Sequence, residues 1–168
     1  MSAPGDLTAG PAPRRAIFFD VENSSRAQHV GRVLQHLAVD HGHVRTDFVA
    51  IGNWRVISDE SAHLLARHGA RLVHSAPAPG VQDWSDLRIG VAAGVWLGNA
   101  RAGDRIEIVS DDRAFDAVGD VAASLGVQFT RVSYRRLAGA DAGPRLRAQQ
   151  IDDGERAPRC TSVPGELL

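Results

Sequence analysis

The chain contains no lysine: all 19 of its basic residues are arginines. A Walker A phosphate loop, a Schiff-base enzyme and a lysine general base are thereby excluded. Cysteine is almost missing too. Cys160 is the only one, so neither an intrachain disulfide framework nor a cysteine-based zinc site can form. No run approaches the roughly 18 apolar residues that span a membrane. Residues 1–13, rich in Pro, Gly and Ala, lack the apolar stretch of a signal peptide. A soluble, cytoplasmic protein with no membrane partner is the expectation. Positive charge is not in excess either. The formal net charge is −1, so any nucleic-acid binding must rest on a local basic groove and not on a global field. No Gly-x-Ser-x-Gly elbow occurs, which leaves a serine hydrolase without support.

What is present is enough for one folded domain. Hydrophobic residues make up 43% of the chain and charged ones 23%, so a sizeable core can form. Residues 1–13 read as a disordered N-terminus, 14–137 as the folded domain and 138–168 as a flexible tail turning to Gly, Pro, charge and Gln. Arg15 to Val21 is a short, mostly apolar run, the mark of a strand buried on both faces. Further strands are expected at 47–52, 71–75, 105–110 and 128–133. Helices are expected at about 26–38, 58–68, 83–100 and 114–125, the first capped by Asn23-Ser24-Ser25. In the long apolar helix, Gly90 and Gly94 lie four apart, as if to line a close helix–sheet contact. Alternation of strands and helices predicts a three-layer α/β/α fold around a five-stranded, mainly parallel sheet.

Such sheets bind ligands beyond the carboxyl ends of their strands, and two strands end there in acid. The first closes with Asp20, Val21, Glu22 and Asn23, the fourth with Ser110, Asp111 and Asp112. Asp83 and Asp86 start the long helix between the third and fourth strands. Clustered carboxylates repel one another unless a cation or protons neutralise them. Their hard oxygens suit Mg²⁺ or Mn²⁺, ions that activate water and stabilise a phosphoryl group in transfer. Plainer roles compete. Asp20 can bond nearby amides at a strand end, and Asp83 with Asp86 matches a helix cap with an acid in its first turn. Asp111 or Asp112 can cap the next helix. Glu22 reads as solvated, and Asn23 as a turn residue. His41 and His43, beside Asp40, have metal-like composition, but a polar turn is the better reading.

Taken together, Asp20-x-x-Asn23, Gly52-Asn53-Trp54, the helix-start Asp86 and Ser110-x-Asp112-x-x-Phe115 resemble the NYN branch of PIN-like nucleases over about residues 14–137. The resemblance implies a PIN-like sheet in the order 3-2-1-4-5 and metal-dependent cleavage of RNA, probing single strands first. It implies that Asp20, Asp86 and Asp112 are the catalytic and Mg²⁺- or Mn²⁺-binding acids, with Asn23 and Ser110 supporting them. The family commonly reads Ser-Gly-Asp-x-Asp-Phe after the fourth strand; here Asp111 stands at the glycine and Ala114 at the second aspartate. Asn53 stands at a usual aspartate, and Ala92 or Ala93 at another usual acid. Asp111, Glu22 and Asp116 are the acids available to compensate. Trp54, Arg55, Arg88 and Arg113 are candidate RNA contacts, and Arg131, Arg135 and Arg136 a candidate basic patch. Two alternatives stand beside the ribonuclease: a catalytically weak PIN-like module that binds RNA or a protein partner, and, more distantly, a phosphatase of the haloacid dehalogenase type. That last type needs an Asp-x-Asp and a lysine, where this chain has Glu22 and none. Whether the chain forms a homo-oligomer is left open by its sequence.

Overall fold

A computed structural model describes residues 12–22, 26–39, 42, 44–76, 80–81 and 83–140. In chain order the elements are β1 (Arg15–Asp20), α1 (Ala27–Leu37), β2 (Thr46–Gly52), α2 (Asp59–Arg67), β3 (Arg71–His74), α3 (Trp84–Leu97), β4 (Arg105–Val109), a 3-10 turn (Arg113–Phe115), α4 (Asp116–Ser124), β5 (Gln128–Val132) and α5 (Tyr134–Ala140). All strand pairs are parallel, and their order is β3-β2-β1-β4-β5. The fold is therefore the expected α/β/α sandwich, with a sheet that is wholly parallel. The expected cap at Asn23 to Ser25 and the polar turn at His41 and His43 lie outside the described residues, as do most of the N-terminal segment and residues 141–168. The last helix, α5, was not anticipated, and it runs past the expected boundary at 137.

β1 lies at the centre of the sheet because it has no polar face. Every residue from Arg15 to Asp20 is buried. Ile17, Phe19 and Val21 point into one core with Val30, Val33, Leu34 and Leu37 of α1 and Leu65 of α2. Ala16 and Phe18 point into the other with Ile89, Ala93 and Leu97 of α3. This alternation is the two-sided burial that a continuous apolar run encodes. At the amino end of the sheet, Arg15 and Glu107 form a buried ion pair, with the Arg15 Nε to Glu107 Oε2 distance 2.5 Å. Arg15 also donates to the carbonyl of Leu37, at 2.7 Å. Nearby, the amides of Arg14 and Arg101 and the Arg14 guanidinium all reach Asp104. Burial alone would raise this carboxyl, but these donors outweigh it and hold Asp104 below its usual range.

Two glycines are dictated by close approach. On Gly119 of α4, a Cβ would stand 2.5 Å from the Phe129 ring. Gly119→Ala is therefore expected to destabilise the fold by about 1–3 kcal/mol through overpacking, despite alanine's better helix propensity; a urea titration measures it, and a more stable variant would contradict this contact. Gly52 is the second, and it belongs to the site below. Gly90 and Gly94, by contrast, do not line a helix–sheet contact, because a Cβ on either would meet nothing within 4 Å. The face of α3 that meets the sheet is Ser85, Ile89, Ala93 and Leu97. No helix among the described residues is long and apolar enough to cross a membrane.

Candidate functional site

The order 3-2-1-4-5 reverses direction between β1 and β4, and the crevice at such a switch point is where an open parallel sheet binds its ligand. Register places the acids there. Phe19 pairs with Val109, so Asp20 and Ser110 stand side by side at the two strand ends. The Ser110 hydroxyl donates to Asp20 Oδ2 at 3.0 Å and accepts the amide of Asp112 at 3.1 Å. The amide of Glu22 donates to Asp20 Oδ1 at 3.2 Å. Asp20 is 0% exposed, and these donors fix its carboxyl facing the crevice.

The helix-start acid joins it. Asp86, in the first turn of α3, shares a hydrogen bond with the Asp20 carboxyl, and its pKa is raised from 3.8 to about 7. Burial is the largest cause; the charges of Asp20, Asp112 and Asp83 add to it, then the bond to Asp20. The capping alternative for Asp83 is not realised. It occupies the N-cap position with φ 55°, and its side chain caps nothing. Asp20, Glu22, Asp83, Asp86, Asp111 and Asp112 together line one open cavity of about 420 Å³, with Ser85 and Arg135.

Two of these residues carried little signal in the sequence. Glu22 is held in place at both oxygens, by the Asn53 amide at 3.1 Å and the Ser85 hydroxyl at 3.0 Å. Gly52 makes room for it, since a Cβ there would stand 3.5 Å from the Glu22 side chain and 3.3 Å from Val21. Arg135 follows β5, and its guanidinium lies 3.4 Å from Asp111 while remaining 86% exposed. It is the one cation among the described residues that line the cavity. The other acid of the pair after β4 does act as a cap: Asp112 Oδ1 accepts the Ala114 amide at 2.8 Å. Asp111 instead accepts from Ser133 and from the Arg135 amide.

The remaining candidates sit apart from the cavity. Trp54 bonds the carbonyl of Val73 through its indole N–H at 2.9 Å and packs half-buried on the core, so it covers the β3 edge. Arg55, Arg88 and Arg113 are exposed but do not line the acidic cavity. Arg131 is bound to Asp116 and to the carbonyls of Ser110 and Asp111, so it braces the loop after β4. Asn23 lies outside the described residues.

In kind, this all-oxygen donor set fits a hard divalent cation. No group of three or more Asp, Glu, His or Cys side chains among the described residues is already arranged to hold one. The reason is local: a proton joins Asp86 to Asp20, and Asp112 and Asp111 spend oxygens on amides and hydroxyls. A raised carboxyl pKa means that ionising Asp86 costs the folded state more than the unfolded one. That cost grows as pH rises from about 3.8 to about 7 and is fully present above it. Asp86→Asn, neutral at every pH, is therefore expected to melt above the wild type at pH 8 in chelator, with the gap shrinking towards pH 5. A gap that does not change with pH would show that Asp86 does not carry this proton. Compared with known proteins, the chain matches no family model and no curated protein.

Proposed function

We propose that this chain is a metal-dependent ribonuclease of the NYN type that its motifs resemble, cleaving phosphodiester bonds of RNA. The observation that carries this reading is the proton-sharing pair of Asp20 and Asp86 at the switch point, beside Asp112. Three strand-end and helix-start acids brought to one crevice are costly without a cation to neutralise them. Asp20, Asp86 and Asp112 would hold Mg²⁺ or Mn²⁺, with Glu22 next to them. Such an ion, when bound, activates water and offsets charge developing on the phosphoryl group. The chain's own residues prepare for that. Ser110 and the Glu22 amide hold the Asp20 carboxyl, Asp86 yields its proton, and Arg135 offers an exposed guanidinium to a substrate phosphate.

Because cation and proton compete for Asp86, cation affinity is expected to fall about tenfold per pH unit below about 7 and to level off above it. Calorimetric titration in buffers of different ionisation enthalpy checks this, with proton release near pH 6; an affinity flat from pH 5 to 8 would contradict it. The direct test of function is cleavage of single-stranded RNA by the pure chain with Mn²⁺ or Mg²⁺, blocked by chelation. Ala114 at a usual acid position, together with the oxygen that Asp112 gives to its cap, supports a second reading, a module that binds RNA without cutting it. RNA affinity that survives chelation, with no product formed, would establish that reading in place of the first.

A further inference from the structure

The two helical layers differ at their outer surfaces. Nine large hydrophobic side chains are exposed among the described residues, and six of them, Trp84, Leu87, Val91, Val95, Val121 and Leu125, lie on α3 and α4. None lies on α1, α2 or α5, whose outer positions carry residues such as Arg32, His36, Glu60 and Arg67. α3 already buries one stripe against the sheet. A helix that is apolar on its opposite side as well is the kind that is covered on both.

The order of residues along that outer stripe says what covers it. Trp84, Leu87, Val91, Gly94 and Gly98 recur at alternating spacings of three and four, the seam of a paired helix. The large residues stand at its amino end and the glycines at its carboxyl end. A Cβ on Gly94 would meet nothing within 4 Å, and one on Gly98 only carbonyls of its own helix. An apolar hollow of about 340 Å³ lies along the amino half, beside Leu87 and Val91. Turned antiparallel about a twofold axis through Val91, two copies of this helix bring Trp84 of each onto Gly98 of the other and Leu87 onto Gly94. Each bulky residue then meets a gap, and the opposed helix dipoles attract. Arg88 is the one charged side chain on this outer stripe, and it sits at its flank. A 14-residue helix is only about 21 Å long and about 10 Å wide, narrower than the ~800 Å² per partner of a stable interface. α4 packs on the same face of the sheet, and its Val121 and Leu125 widen the patch.

We propose that the chain forms a twofold homodimer in which α3 packs antiparallel against α3 of a second copy, with α4 at the margin. The interface is separate from the acidic cavity, and its test needs neither cation nor RNA. Sedimentation of the full chain in chelator, up to about 100 µM, is expected to show a reversible dimer. Val91→Glu, at an exposed position, is expected to leave the circular dichroism unchanged and give a monomer. Gly94→Leu fills the hollow, favours the helix, and is expected to raise the dimer Kd at least about tenfold. Leu87→Ala with Gly94→Leu exchanges the bulky residue and the gap and is expected to restore the dimer. A monomeric wild type overturns the proposal, as does a dimer indifferent to Val91→Glu or Gly94→Leu. A double variant that stays monomeric overturns the antiparallel pairing.

Discussion

Asp20→Asn is expected to lower metal-dependent RNA cleavage by about 10³-fold or more, corresponding to about 4 kcal/mol of lost transition-state stabilisation. Asp20 is the hub of the site. It is wholly buried, accepts from Ser110 and the Glu22 amide, and shares a proton with Asp86. Asparagine has nearly the same shape but gives up an anionic oxygen and must place an amide N–H₂ where donors already point. The variant should therefore stay folded while the cleavage rate collapses, which labelled-RNA assays and circular dichroism read separately. Ser110→Ala provides the graded comparison. Ser110 acts through Asp20 and Asp112, so its loss is expected to cost cation affinity about 10–100-fold. Cleavage by Asp20→Asn at the wild-type rate would remove the acid cluster from the chemistry.

The second large effect is on stability, at the opposite end of the same strand. Glu107→Ala leaves the Arg15 guanidinium buried without its counter-ion, since Arg15 is 7% exposed and its other bond is to the Leu37 carbonyl. Removing one member of a buried pair costs about 3–5 kcal/mol, a large share of the 5–15 kcal/mol typical of a whole domain. Replacing both residues, as Arg15→Met with Glu107→Leu, is expected to recover most of that loss, because the desolvation penalty disappears with the pair. Denaturant titrations of the single and double variants separate the two terms. A Glu107→Ala protein as stable as the wild type would contradict the pair's burial.

The fold was readable in the sequence because β1 and β4 are apolar runs with no polar alternation and the helices between them carry one buried stripe each. Asp20 and Asp112 were readable for the same reason, since acids at the ends of central strands must face the switch point. The loops were not. Glu22 looks solvated until the Asn53 amide and the Ser85 hydroxyl are seen to hold it, and nothing in Asp83-Trp84-Ser85-Asp86 foretells that the serine turns towards β1. Arg135 reaches the cavity because α5 follows β5 directly, and periodicity gave no sign of that short helix. The opposite error arose where spacing was read without direction. Gly90 and Gly94 suit a close contact, but the apolar residues on both sides of α3 made its inward face ambiguous. Ile89, Ala93 and Leu97 face the sheet, and Gly94 faces out. Trp54 had a stacking role open to it, but its indole N–H bonds a strand carbonyl at the sheet edge.

The central claim is that Asp20, Asp86 and Asp112 form a divalent-cation site. Titrating Mn²⁺ into the pure chain at pH 7.5 and following the free-ion signal by electron paramagnetic resonance tests it most directly. Saturable binding by the wild type that is lost in Asp20→Asn is the predicted result. Absence of saturable binding, or binding that Asp20→Asn leaves unchanged, would contradict it.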